Sequence, residues 1–292
     1  MQPIFDTDLV VRHRKRALAA AIPGADFLML RAAEDLGERL ATVERRFACA
    51  ATVFCGHPAA AETLARSGKV DRVLRVEADP ALLDDAQGIV AAPEHVPLEP
   101  ASIDLAVSLL SLHETNDVPG VLAQLRRALK PDGLLLAAFP GAGTLSELKE
   151  SLLVADAETA GGASPRVIPF ADVRDAGALL QRAGFALPVA DVETVTVRYD
   201  TLFDLAADLR AMGATSALLA RSRKPATRRL FARAAEIYAE RFSDADGRVR
   251  ATFSFIWLSG WSPAASQPKP ARPGSASRSL AEALREAGSD DG

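Results

Sequence analysis

Four short segments carry the residues best suited to chemistry: Cys55-Gly56-His57-Pro58, the lone acid Glu77, Ala92-Pro93-Glu94, and the run from Ser108 through Leu109 and Leu110 to His113. Each lies at or just beyond the end of an apolar run. A carboxylate ending a second strand can accept from two neighbouring hydroxyls at once, which makes Glu77 a ribose contact. Gly56 supplies a tight turn, and a helix opening at Pro58 aims its first amides at an anion. His113 is placed for general base work or a substrate contact, with Asp117 a second catalytic candidate. Cys55 has no neighbouring base to lower its thiol pKa and reads as a packed residue. The spacing of His113, Asp117 and Glu77 makes no metal-ligand set.

Such residues need a frame. From Ala48 to Phe139 apolar runs alternate with helical patterns, which signals βαβ units and a parallel sheet. The expected strands are Ala48–Phe54, Arg72–Glu77, Gly88–Ala91, Ile103–Leu109 and Leu134–Phe139. Between them lie helices at Pro58–Arg66, Pro80–Ala86 and from Val118, where Val121, Leu122, Leu125 and Leu129 repeat at helical spacing. Pro131-Asp132-Gly133 predicts a turn. Further on, the pattern gives helices over Leu145–Ala157, Asp172–Ala183, Leu202–Met212 and Thr227–Phe242, with strands at Val192–Tyr199 and Thr252–Trp261. An open parallel sheet binds ligands beyond its strands' carboxyl ends, where the strand order reverses.

The bulk numbers narrow the function. The chain has 292 residues, 49% hydrophobic and 25% charged, with a formal net charge of -4. That balance offers no electrostatic footprint for nucleic acid. No apolar run is long enough to span a bilayer. Two cysteines give no disulfide framework and point to a reducing cytoplasm. The basic cluster Arg12–Arg16 belongs to a first helix, because Asp6 and Asp8 sit where targeting peptides avoid acids. The absence of Gly-x-Gly-x-x-Gly after the first strand argues against a nicotinamide dehydrogenase.

Asp104-Leu105-Ala106-Val107-Ser108 and Leu129-Lys130-Pro131-Asp132-Gly133 resemble the fourth- and fifth-strand region of class I S-adenosylmethionine-dependent methyltransferases. Outer motifs narrow the match: Phe5-Asp6 with Asp8-Leu9, Ser111-Leu112-His113 with Asn116-Asp117, and Thr144-Leu145 with Glu147-Leu148. Gly161-Gly162 with Ser164-Pro165, Pro169-Phe170, Met212-Gly213 and Ser266-Gln267-Pro268 complete it. Together they resemble the methyltransferase-like assembly factors of respiratory complex I, whose mitochondrial member is an arginine hydroxylase. A more distant similarity is to the malonyl-carrier-protein methyltransferases. The likeness covers about Phe5 to Ala276. It implies S-adenosylmethionine as cofactor, with Cys55, Gly56, Glu77, Ala92, Glu94, Ser108, Leu109 and Leu110 around it.

The cofactor loop departs from the family. Thr52 stands where the first strand ends in an acid, and Phe54, Gly56 and Pro58 stand where three glycines are usual. Ala92 replaces the acid that meets the adenine amine, and Glu94 lies two places late. Weak cofactor binding follows from these losses. The expected fold is a Rossmann-like class I methyltransferase, a seven-stranded, mostly parallel sheet with helices on both faces. One domain over 1–261 is expected, with its core near 46–200, a helical elaboration near 201–245, a closing strand at 252–261 and an irregular tail over 262–292. The resemblance implies a protein substrate, an arginine-bearing subunit of a respiratory NADH dehydrogenase, with Glu94, Glu114 and Asp117 available to a guanidinium. The alternative is a non-catalytic assembly module that keeps the fold.

Overall fold

The computed structural model describes residues 2–83, 88–160, 162, 164–222 and 226–267. Strands β1 (Ala50–Val53), β2 (Val73–Glu77), β3 (Gly88–Val90), β4 (Ile103–Leu109) and β5 (Leu129–Pro140) are joined in parallel. Strand β7 (Val249–Trp261) runs antiparallel between β5 and the edge strand β6 (Ala186–Tyr199), giving the order β3-β2-β1-β4-β5-β7-β6. The late strand is therefore inside the sheet, as its Phe253, Phe255 and Trp257 alternation demands.

Helices cover both faces because the central strands are apolar on both. Leu122 and Leu125 of α4 (Val118–Ala128) and Leu180 of α6 (Val173–Arg182) share a core with Val53, Ala106 and Leu135. On the other face Leu36 and Leu40 of α2 (Phe27–Ala41) and Leu64 of α3 (Ala59–Arg66) pack on Leu105, Val107 and Leu109. A third cluster joins α5 (Ser146–Ala160), α7 (Leu202–Ala211) and α8 (Arg228–Phe242) to β7 through Leu152, Leu205, Ile237 and Phe253. Helix α1 (Thr7–Ala20) lies apart from these clusters, anchored largely by polar contacts.

Several boundaries differ from the sequence reading. Pro131-Asp132-Gly133 does not interrupt the chain between helix and strand: β5 begins at Leu129, which pairs with Ile103 before the register slips to Leu105–Leu134. The turn residues form a bulge, with Asp132 at φ +63. Strand β6 starts at Ala186, and β1 is shorter than the apolar run that announced it. Helix α2 had no counterpart in the sequence reading. The expected Pro80–Ala86 helix is a 3₁₀ turn over Pro80–Leu82, and its remainder beyond Leu83 lies outside the described residues. So do Gly161, Pro268 and the tail beyond it.

Candidate functional site

The strand order reverses between β1 and β4, so the crevice beyond their carboxyl ends is the binding position this topology favours. Phe54 and Leu110 each stand one residue past those strands, at φ +56 and +53. A left-handed conformation costs a residue with a side chain about 1–2 kcal/mol. Here it leaves both carbonyls facing Arg14 of α1. The guanidinium donates from Nη1 to Phe54 O at 2.9 Å and from Nη2 to Leu110 O at 3.0 Å. Nη2 also donates to Glu114 Oε2 at 3.2 Å. A Cβ at Gly56, itself at φ +66, would meet Arg14 Cδ at 3.3 Å, so the glycine admits the arginine stem.

Glu77 ends β2 beside this point and is 1% exposed. The Gly56 N–H donates to both its carboxylate oxygens at 3.0 Å, and Arg75 Nη2 stands 3.6 Å away. Arg75 is itself buried, donating to Leu82 O and Leu83 O at 2.7 and 2.8 Å. Burial raises the Glu77 pKa to about 7, against the lowering by the Gly56 amide, Arg75 and Arg14.

The other sequence candidates fall into distinct roles. His113 faces the crevice and stacks on Phe170, with ring centroids 6.4 Å apart. Burial first, and Arg14 second, push its pKa down to about 3, so the imidazole is neutral. Its Nδ1 is buried without a hydrogen-bond partner among the described residues. Asp117 instead caps α4, accepting from Gly120 N at 2.9 Å. Glu94 accepts from the amides of Asn116 and Asp117 at 2.7 and 3.1 Å, which leaves it structural here. Ala92 is exposed. Ser108 Oγ donates to Val53 O at 3.0 Å, and Leu109 N donates to Cys55 Sγ at 3.3 Å, tying β1 to β4. Burial pushes the Cys55 thiol up to about 12, consistent with packing. The first amide of α3, on Ala59, donates to His57 Nδ1 at 3.2 Å.

A cavity of about 710 Å³ opens from the crevice toward α1, α2, α5 and α7. Its floor holds Arg14, Cys55, Gly56, Leu110, His113 and Glu114, and its walls are mostly apolar, among them Leu148, Phe170, Leu209 and Phe253. Glu77, Ala92, Glu94, Ser108 and Leu109 do not line it. Apolar walls with a few convergent polar groups are the usual character of a ligand site. No group of three or more His, Cys, Asp or Glu among the described residues could hold a metal ion.

Arg14, Arg75 and α2 escaped the sequence reading. Arg14 was one charge in a basic run, yet it follows the buried Val10 by four residues, on the same helix face. That helical spacing was the available signal.

Outer motifs with no core role converge on α1. Asn116 Oδ1 accepts from the amides of Ile4 and Phe5 at 2.7 and 2.9 Å. Asp6 N donates to Ala217 O at 2.9 Å, and Lys15 pairs with Asp79 at 2.7 Å. Gly213, at φ +76, lets the backbone approach His13: a Cβ there would stand 3.0 Å from His13 O.

Residues 52–137 match the family model described as a methyltransferase domain. The chain is 36% identical over 291 residues to "Arginine-hydroxylase NDUFAF5, mitochondrial" of Danio rerio, covering 96% of this chain and 89% of the relative. It is 34% identical to the Homo sapiens protein of the same name, covering 96% and 83%. A malonyl-[acyl-carrier protein] O-methyltransferase of Laribacter hongkongensis is 37% identical over 177 residues, 61% of this chain and 57% of that one. Among solved structures, the YcgJ protein of Bacillus subtilis superposes with a TM-score of 0.54 at 15% identity, covering 79% of this chain and 99% of its own, which shows the shared fold. Similarity to the hydroxylases extends well past the methyltransferase domain at both ends, so the chain belongs to the methyltransferase-fold family that includes the NDUFAF5 arginine-hydroxylases.

Proposed function

We propose that this protein is an enzyme of the complex I assembly-factor type, acting in the cytoplasm on an arginine-bearing subunit of a respiratory NADH dehydrogenase. The observation that carries the reading is the near-full-length likeness to proteins named arginine-hydroxylases, which includes the segments that seat α1 over the crevice. A protein substrate suits a cavity with apolar walls and one acid, Glu114, at its floor better than a small polar metabolite does.

S-adenosylmethionine is the cofactor class of the methyltransferase domain, and it supplies an electrophilic methyl group when bound. The residues fit it by position. Glu77 ends β2 where a ribose acceptor belongs, Gly56 keeps the left-handed turn of the loop, and the cavity reaches Gly56 and Leu110. The fit requires movement, because Glu77 is closed off and Arg14 lies over Gly56. Phe54 and Pro58, in place of glycines, predict weak affinity. A neutral His113 at the cavity floor can accept a hydrogen bond from a substrate group, but a pKa pushed down to about 3 makes it a weak proton acceptor.

The second reading, a binding module without catalysis, is favoured by the altered loop and by the arginine that fills the crevice. Deleting the gene in its host separates the two. The enzymatic reading expects reduced NADH-driven respiration together with loss of an arginine modification on a complex I subunit, read by peptide mass spectrometry. Impaired respiration with every arginine modification intact supports the module. Normal respiration and unaltered subunits overturn both.

A further inference from the structure

Arg14 is held as a ligand would be. Its guanidinium meets three acceptors from two separate strands' ends and one turn: Phe54 O, Leu110 O and the Glu114 carboxylate. The last of these side chains is 8% exposed, and Arg14's own is 16% exposed. Arg14, Leu110 and Glu114 border the large cavity and Phe54 does not, so two of the three acceptors belong to residues that open onto it. A buried carboxylate is stabilised by a paired cation, and two carbonyls turned outward by left-handed residues accept but cannot donate. Together they form a site for an organic cation at the strand-order reversal, where ligands of this topology bind.

The arginine that fills this site comes from the first helix, and that helix is secured at its rim. Asn116 holds Ile4 and Phe5, Lys15 pairs with Asp79, and the His13 ring meets Thr215 Oγ1 at 2.8 Å. These contacts are polar, and within α1 only Val10 and His13 are buried, which is the character of an element that opens locally. We propose that Arg14 is an internal occupant of a cation site on Phe54 O, Leu110 O and Glu114, and that a ligand's own ammonium or guanidinium takes that site when α1 withdraws. This deepens the proposed function and rests on it for the identity of the ligands. The ammonium would come from the amino-acid end of the cofactor, the guanidinium from a substrate arginine.

The test uses the full chain with Arg14→Ala, alone and combined with Glu114→Gln. Ethylguanidinium should raise the melting temperature of R14A by several degrees more than that of wild type, and should not do so for R14A/E114Q. That arm reads the cation site without reference to cofactor or substrate. Calorimetry then uses S-adenosylhomocysteine and the peptide acetyl-Gly-Arg-Gly-amide, with its citrulline counterpart as control. The account expects at least one of the two to bind R14A tenfold or more tightly than wild type, and the one that gains identifies the source. If R14A does not fold, Arg14→Lys keeps the stem and charge but cannot fork to three acceptors, and a smaller gain is expected there. Equal or weaker binding of both probes to these variants, with no ethylguanidinium response, overturns the proposal. Wild-type affinity for S-adenosylhomocysteine in that case leaves the proposed function standing.

Discussion

The Gly56 amide donates to both carboxylate oxygens of Glu77 at 3.0 Å, so the acid proposed to receive a ribose is held by the loop proposed to cradle the cofactor. The acid at the end of β2 and the turn at the end of β1 are thereby locked together in the free protein. Binding at the crevice must break this contact or share it. Burial outweighs this amide, Arg75 and Arg14 and leaves the carboxyl with a pKa near neutrality.

Stability should report that pKa. The folded value is raised to about 7 from the ordinary 4.5. The contribution is fully present below the unfolded value and is lost as pH rises through the folded one. Relative to Glu77→Gln, wild type should lose about 3 kcal/mol of unfolding free energy between about pH 4.5 and about pH 7. Urea denaturation of both proteins across that window measures it. A pH-independent difference would show that Glu77 is ionised throughout.

His113 acts in the opposite sense. Its folded pKa is lowered to about 3, so its contribution is present above the unfolded value of 6.5 and is lost as pH falls toward 3. Wild type minus His113→Asn should therefore lose about 2 kcal/mol on going from about pH 8 to about pH 5. Because Glu77 gains over part of the same range, the wild-type profile alone conceals both. Ring resonances followed by NMR would locate the titration directly, and a midpoint near 6.5 would contradict the buried neutral imidazole.

Asp117 should prove structural. As the side-chain cap of α4, its replacement by Ala should lower stability by about 1 kcal/mol while leaving ligand affinity unchanged. Thermal unfolding and calorimetry on the same variant separate the two. A large loss of affinity without loss of stability would return Asp117 to the catalytic set.

Gly213 should control how α1 is seated. Its left-handed backbone and its closeness to His13 O leave no room for a Cβ, so Gly213→Ala should destabilise by more than about 1 kcal/mol. The damage should concentrate in α1, read as faster amide exchange over residues 7–20. Uniform change across the sheet would argue against a local role.

The sheet was legible because a strand buried on both faces must read as an apolar run, as Ile103–Leu109 does, and because Phe253, Phe255 and Trp257 alternate. The bulge at Pro131–Gly133 was not, since turn residues cannot tell a bulge from a break without the partner strand. Helix α2 carried a signal that went unread: Leu28, Ala32, Leu36 and Leu40 recur every four residues. At the site, Glu77 and Gly56 could be placed from order along the chain. Their mutual hydrogen bond could not, and neither could Arg14, because both depend on which helix crosses the crevice. The distant motifs at Phe5, Asn116 and Gly213 became intelligible once the fold brought them together around α1.

The central claim is that this altered crevice still takes the cofactor class of its family, with Glu77 as the ribose acceptor. Calorimetric titration of the purified protein with S-adenosylhomocysteine, beside Glu77→Ala, tests it most directly. The account predicts a saturable, weak binding heat for wild type that disappears in the variant. No heat from wild type at millimolar ligand, or equal heats from both proteins, would contradict it.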